Sequence, residues 1–251
     1  PPDFEQARNW YARAAASGSL EATNNLGLIY MNGQGVPQSY GEARRLFEIA
    51  VAQNHPASMN NLGIMYYQGR GGPVDYETAA ELFQGAIAAG SIDAFGSLGS
   101  LYMSGEGIGR DYLEAMRYFR AGVQAGNHFS MVELARMHLG GLGTPIDAEQ
   151  ARDIIGPAVD EEYPPAQFLL GQIYFEGLGI SADAREAERY FRMAAENGHP
   201  PAQLSMAAIA TQREDHAAAI QWLERAMEGG EPSAAARLGV KVADFFLLQR
   251  N

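Results

Sequence analysis

The chain has 251 residues, 47% hydrophobic and 19% charged, a composition that supports a packed core rather than disorder. Eighteen basic against 30 acidic residues leave a formal charge of −12, which repels phosphate backbones and argues against nucleic-acid binding. Cysteine is absent, which excludes disulfides, thiolate-bound zinc and thiol nucleophiles, and no run of 18 apolar residues is present to span a bilayer.

Taken along the chain, the first helical pattern is Ala7, Trp10, Tyr11 and Ala14, opened by Pro2-Asp3-Phe4. A different one follows, with Ala22, Leu26-Gly27 and Tyr30. A small residue, a leucine and an aromatic at i, i+4 and i+8 share one helix face. Gly33-x-Gly35 then reads as a helix C-cap with positive φ followed by a tight reversal. The first pattern returns at Ala43, Leu46, Phe47 and Ala50, and the second at Ser58, Leu62-Gly63 and Tyr66 with Gly69-x-Gly71. We term the Leu-Gly helices A and the others B. Further B helices are read at Ala79/Phe83, Ala115/Phe119/Gly122, Ala151/Ile155, Ala187/Phe191 and Ala219/Leu223. Further A helices are read at Leu98-Gly99, Leu134-Ala135 (with His138 in the aromatic slot), Leu170-Gly171, Met206-Ala207 and Leu238-Gly239. Five leucines, at 26, 62, 98, 134 and 170, are spaced by 36 residues, and repeats start near 20, 56, 92, 128, 164, 200 and 232. The last step, Ala202 to Ala234, is 32. Four residues are missing from the turn at 211–215, where a surface connection tolerates deletion.

The combined pattern Ala-x-x-x-Leu-Gly-x-x-Tyr-x-x-Gly-x-Gly, then Ala-x-x-Trp/Tyr/Leu-Phe/Tyr-x-x-Ala-Ala, resembles the Sel1-like repeat family, a relative of the tetratricopeptide repeat. Ser58 to Gly71 and Ala187 to Ala195 carry it best, and it runs over essentially the whole chain. The resemblance implies an all-α, right-handed superhelical solenoid in one domain of about seven helix pairs, the first reduced to helix B. Each pair buries its apolar faces only against its neighbours. It also implies a non-enzymatic scaffold for a partner protein or peptide. The setting would be the bacterial periplasm or cell envelope, in assembly, signalling or exopolysaccharide regulation, with the cytoplasm as the alternative. A carbohydrate- or peptidoglycan-binding module is the rival reading. The chain opens inside a repeat, and 240–248 reads as an unclosed A helix with Phe245, Phe246, Leu247 and Leu248 clustered. The expectation is a protein that extends beyond these ends, or ends that contact a partner.

Chemistry-bearing motifs are scarce. No Gly-x-Ser-x-Gly is present, and the Gly-x-Gly pairs lie between helices with no strand before them and no Gly-Lys-Ser/Thr after. His55, His128 and His199 recur just before A helices, about 10 Å apart by repeat geometry and too far for one metal. No catalytic residue, metal or cofactor is expected. Asp160, Glu161 and Glu162 read as a solvated run, and Gly156-Pro157 predicts a kink or early stop in the fifth B helix.

By analogy with tetratricopeptide solenoids, the A helices line a concave groove. Its candidate residues are Asn24 and Asn60, which carry both donors and an acceptor for an extended chain, and Met31, Tyr67, Met103 and Phe175, which with Leu139 form an apolar stripe. Gln172 and Arg136 project from the same face, and Phe129 and Phe168 with Phe175 and Arg136 form the densest patch.

Overall fold

A computed structural model describes residues 3–248, with 241–248 described by their backbone alone; the reading of the Phe245–Leu248 side chains lies outside the described residues. Among the described residues there are fourteen α-helices and no strand: α1 (Phe4–Ala16), α2 (Leu20–Asn32), α3 (Tyr40–Val51), α4 (Pro56–Gln68), α5 (Tyr76–Ala88), α6 (Asp93–Ser104), α7 (Tyr112–Gln124), α8 (His128–Gly140), α9 (Ala148–Asp160), α10 (Pro164–Glu176), α11 (Ala184–Glu196), α12 (Pro200–Gln212), α13 (His216–Glu228) and α14 (Pro232–Leu248). Even-numbered helices are the A helices. Their starts fall within one residue of those read from the Leu-Gly spacing. Contacts divide the chain into two compact units, residues 1–130 and 131–251.

The B helices share a start signal. Asp3, Ser39, Asp75, Asp111, Asp147, Asp183 and Asp215 each occupy the N-cap and accept a hydrogen bond from a first-turn backbone N–H, as Asp147 does from Gln150 at 2.9 Å. An ionised cap satisfies an otherwise unpaired donor and also meets the positive end of the helix dipole. The caps follow the repeat spacing and supply part of the acidic excess.

In the first unit each A helix lies on the B helix that follows it. Phe47, Phe83 and Phe119 are buried at 0–2% exposure, and burying each contributes about 1.5–3 kcal/mol. They fit because Gly27, Gly63 and Gly99 face them. A β-carbon on any of the three would stand 2.5–2.7 Å from a phenyl carbon. Gly122, which breaks the small-residue pattern, has its own reason: a β-carbon there would lie 2.2 Å from Ser130 Oγ. The turns seat one repeat on the previous one, and Gly71 (φ 78°) passes over the Tyr40 carbonyl at the start of α3.

The second unit repeats the logic. Gly171 faces Phe191, which sits with Ala187, Ala194, Ala202 and Met206, and Phe168, Tyr174 and Trp222 pack against them. His138 is 2% exposed, in the slot tyrosine holds elsewhere. The shortened turn after α12 has Arg213 at the C-cap and Glu214 at φ 60° where glycine is absent. Arg213 closes it with a two-pronged ion pair to Glu188 of α11. Glu188 also pairs with Arg192 at 3.0 Å, and these guanidinium bonds, Arg213's first, hold its carboxyl below the usual range.

The expected stop at Pro157 does not occur: α9 runs unbroken to Asp160. Pro157 falls in the last turn, so only the Asp153 carbonyl loses its intrahelical donor, a smaller loss than in mid-helix. Asp160, Glu161 and Glu162 are exposed.

Candidate protein-binding site

The first unit holds a cavity of about 410 Å³ lined by α4 (Asn60, Ile64, Tyr67, Gln68), α6 (Asp93, Ser97, Ser100), Phe83 of α5, and Asn127 and Phe129 at the start of α8. It brings together three of the sequence candidates, Asn60, Tyr67 and Phe129. Its origin is a change of side-chain size. The slots that hold Asn60, Asn61 and Ile64 in α4 hold Gly96, Ser97 and Ser100 in α6, one repeat later. Phe129, 42% exposed, lies over the bare backbone of Gly96, where a β-carbon would be 2.6 Å from its Cδ1. Tyr67 is half-buried and packs edge-on against Tyr76, with ring centres 5.6 Å apart.

The two asparagines read as equivalent turn out to differ. Asn24 is 4% exposed, and its Oδ1 accepts from Ser58 Oγ at 3.0 Å and Asn61 Nδ2 at 2.9 Å. Its acceptor is spent on stitching α2 to α4. Asn60 is 7% exposed, and among the described residues its Oδ1 has no hydrogen-bond partner. Thirty-six residues beyond Ser58 and Asn61 stand Ala94, which has no donor, and Ser97, whose hydroxyl turns to the Asp93 carbonyl at 3.5 Å. A buried amide oxygen without a partner costs about 1–3 kcal/mol, so the site favours anything that brings a donor.

Two other polar residues that line the cavity, Asn127 and Ser100, are hydrogen-bonded within the chain. Asn127 caps α8, accepting from Ser130 N at 2.8 Å and Ser130 Oγ at 2.7 Å, and donates to Asp93 Oδ1 at 3.0 Å. Ser100 Oγ donates to the Gly96 carbonyl at 2.8 Å. Asp93 is the only charged residue among the described residues that line the cavity.

In the second unit Phe168, Gln172 and Phe175 share a hollow of about 350 Å³ with Phe191 and Gln212. Phe175 is 65% exposed, and Phe168 lies 5.0 Å from the His199 ring. Burial, with Arg136 nearby, lowers the His199 pKa. Arg136 is exposed and directs Nε to Glu133 Oε1 at 3.7 Å. Burial raises the Glu133 carboxyl and Arg136 opposes it. Met31 and Met103 are half-buried, Met31 packing against the cluster of Phe47, Leu62 and Met65; neither lines either hollow.

The comparisons agree with this architecture. The Sel1 repeat profile matches residues 1–19, 20–55, 56–91, 97–127, 128–153, 164–199 and 210–231. A Sel1 repeat protein from Oxalobacter formigenes is 27% identical over 85% of this chain and 89% of its own, with a TM-score of 0.71. A protective antigen present in uropathogenic Escherichia coli strains, displaying an SLR fold, is 30% identical over 99% of this chain with a TM-score of 0.60; the chain spans about half (54%) of that antigen. An immunity protein from Pseudomonas aeruginosa shares the fold at 19% identity, 92% and 85% coverage and a TM-score of 0.62. Among curated proteins none matches the chain. The fold is one that typically mediates protein–protein interaction and generally serves as a non-catalytic scaffold. The seven matched segments and the helix pairs that bear them establish that the chain belongs to the Sel1 repeat family.

Proposed function

We propose that the protein is a non-enzymatic scaffold that docks a segment of a partner protein through the cavity between α4, α6 and the start of α8. The unpartnered Asn60 Oδ1 carries this reading. It is a buried acceptor beside half-exposed aromatic rings, in a space within the size range of ligand sites. Apolar contact with Tyr67 and Phe129 supplies affinity, and a donor to Asn60 fixes orientation. A setting at the bacterial cell envelope, which the family resemblance implies, is part of this proposal.

Selection of displayed random peptides on the intact chain tests the docking role. Peptides enriched on the native protein are expected to lose binding to Tyr67→Ala and Phe129→Ala. Enriched peptides that bind both variants undiminished would refute it. Purified glycan polymers bound through Phe175, whose ring is exposed in the second unit, would instead favour the sugar-binding reading.

A further inference from the structure

Resting on that docking role, we propose that the cavity of the first unit is built to receive an arginine side chain from the partner.

Asn60 Oδ1 is buried and waits for a donor. The hydroxyl protons of Ser97 and Ser100 are turned back onto their own helix, which leaves lone pairs towards incoming groups. Asp93 has one oxygen engaged by Asn127, and no described residue donates to the other. Gln68 and the Tyr67 hydroxyl, also in the lining, can accept as well as donate, the one formal charge is the Asp93 carboxylate, and no cationic side chain is among the described residues that line the cavity. An anionic group would meet repulsion here, and a purely apolar one would leave Asn60 unsatisfied.

A guanidinium answers each term. It carries five N–H donors and no acceptor, is always charged, and is planar and weakly hydrated, so it stacks on aromatic faces at modest desolvation cost. Tyr67 and Phe129 supply the rings. The chain already stacks arginine on aromatic rings elsewhere, Arg44 over Tyr66 at 4.1 Å and Arg117 over Tyr118 at 4.4 Å, but no arginine is among the described residues that line this cavity. The overall charge of −12 steers cationic segments towards the surface.

Titration of the intact ¹⁵N-labelled protein with Nα-acetyl-arginine amide tests this, with the acetyl amides of citrulline, norleucine and glutamate as controls. The arginine probe is expected to give saturable shifts at the Asn60 side-chain amide and the Ser97 and Ser100 backbone amides. Citrulline, which keeps the shape but loses the charge, is expected to bind about fivefold more weakly, and glutamate not at all. Asp93→Asn and Asn60→Leu are each expected to weaken the arginine probe at least about threefold. Should Asn60→Leu fail to fold, Phe129→Ala, a change at an exposed ring, reads the same site. Norleucine or glutamate binding these residues as well as arginine does would overturn the arginine assignment while leaving a docking site. No shift at the cavity from any probe would overturn both.

Discussion

A β-carbon on Gly63 would stand 2.6 Å from Cε1 of Phe83, twenty residues further along the chain. The same relation joins Gly27 to Phe47, Gly99 to Phe119 and Gly171 to Phe191. Where the glycine slot holds Ala135 or Ala207, the facing slot holds Ile155 or Leu223 instead of phenylalanine, and all four residues are buried. The flat ring and the missing methyl are two halves of one fit. Gly63→Ala is therefore expected to destabilise by roughly 1–3 kcal/mol through overpacking. Adding Phe83→Leu is expected to recover part of the loss. A double-mutant cycle in urea that shows simple additivity would contradict the pairing. Phe83→Ala alone is expected to cost roughly 3–5 kcal/mol.

Two turns after B helices hold non-glycine residues in the left-handed region, Asn54 and Glu162, both at φ 58°, where the register has Gly18, Gly90, Gly126, Gly198 and Gly230 elsewhere. Asparagine tolerates this conformation and glutamate does so poorly. Glu162→Gly is expected to stabilise by about 0.5–1 kcal/mol after the unfolded-state entropy of glycine is charged against it. Asn54→Gly is expected to do less. Chemical denaturation of the two variants checks the order.

The capping series predicts a position-specific loss. Asp147→Ala removes the acceptor for the Gln150 N–H and is expected to cost about 1 kcal/mol, while Asp147→Ser retains most of the stability. Equal losses for the two would show that the carboxylate acts in some other way.

His199 should impose a pH dependence. Burial, then Arg136, depresses its pKa below the ordinary 6.5, so the unfolded chain takes up a proton more readily than the native one. Stability is then full above about pH 6.5 and falls as the pH drops from there through the depressed native value. The melting temperature of the native protein is expected to fall further between pH 7.5 and 5.5 than that of His199→Asn. Identical falls would refute the assignment. Glu133, raised by burial, works oppositely at lower pH, since its protonated form is the one the fold prefers.

Much of the fold was legible because helix period, the Leu-Gly step and turn glycines are local signals that point the same way. The N-cap aspartates were equally legible, at the repeat spacing, and the apolar pattern alone passed over them. The early stop at Pro157 did not occur because the penalty depends on distance from the helix end, which the B helix pattern of that repeat left open. The site was harder. Asn24 and Asn60 occupy one slot and look interchangeable. Their difference arises from Ser58 and Asn61 on one side and Ala94 and Ser97 on the other, partners a full repeat away. Whether an aromatic on an A helix lies in a cavity or a core likewise rests on the neighbour's side-chain size, as Gly96 beneath Phe129 shows.

The most direct measurement is residue-resolved NMR of the intact protein with a peptide selected on it. Shifts concentrated at Asn60, Tyr67, Ser97, Ser100 and Phe129, with the Asn60 side-chain amide among the largest, are the expected result. Shifts centred on Phe175 and Gln212, or spread along the exposed faces of the B helices while the cavity stays silent, would contradict it.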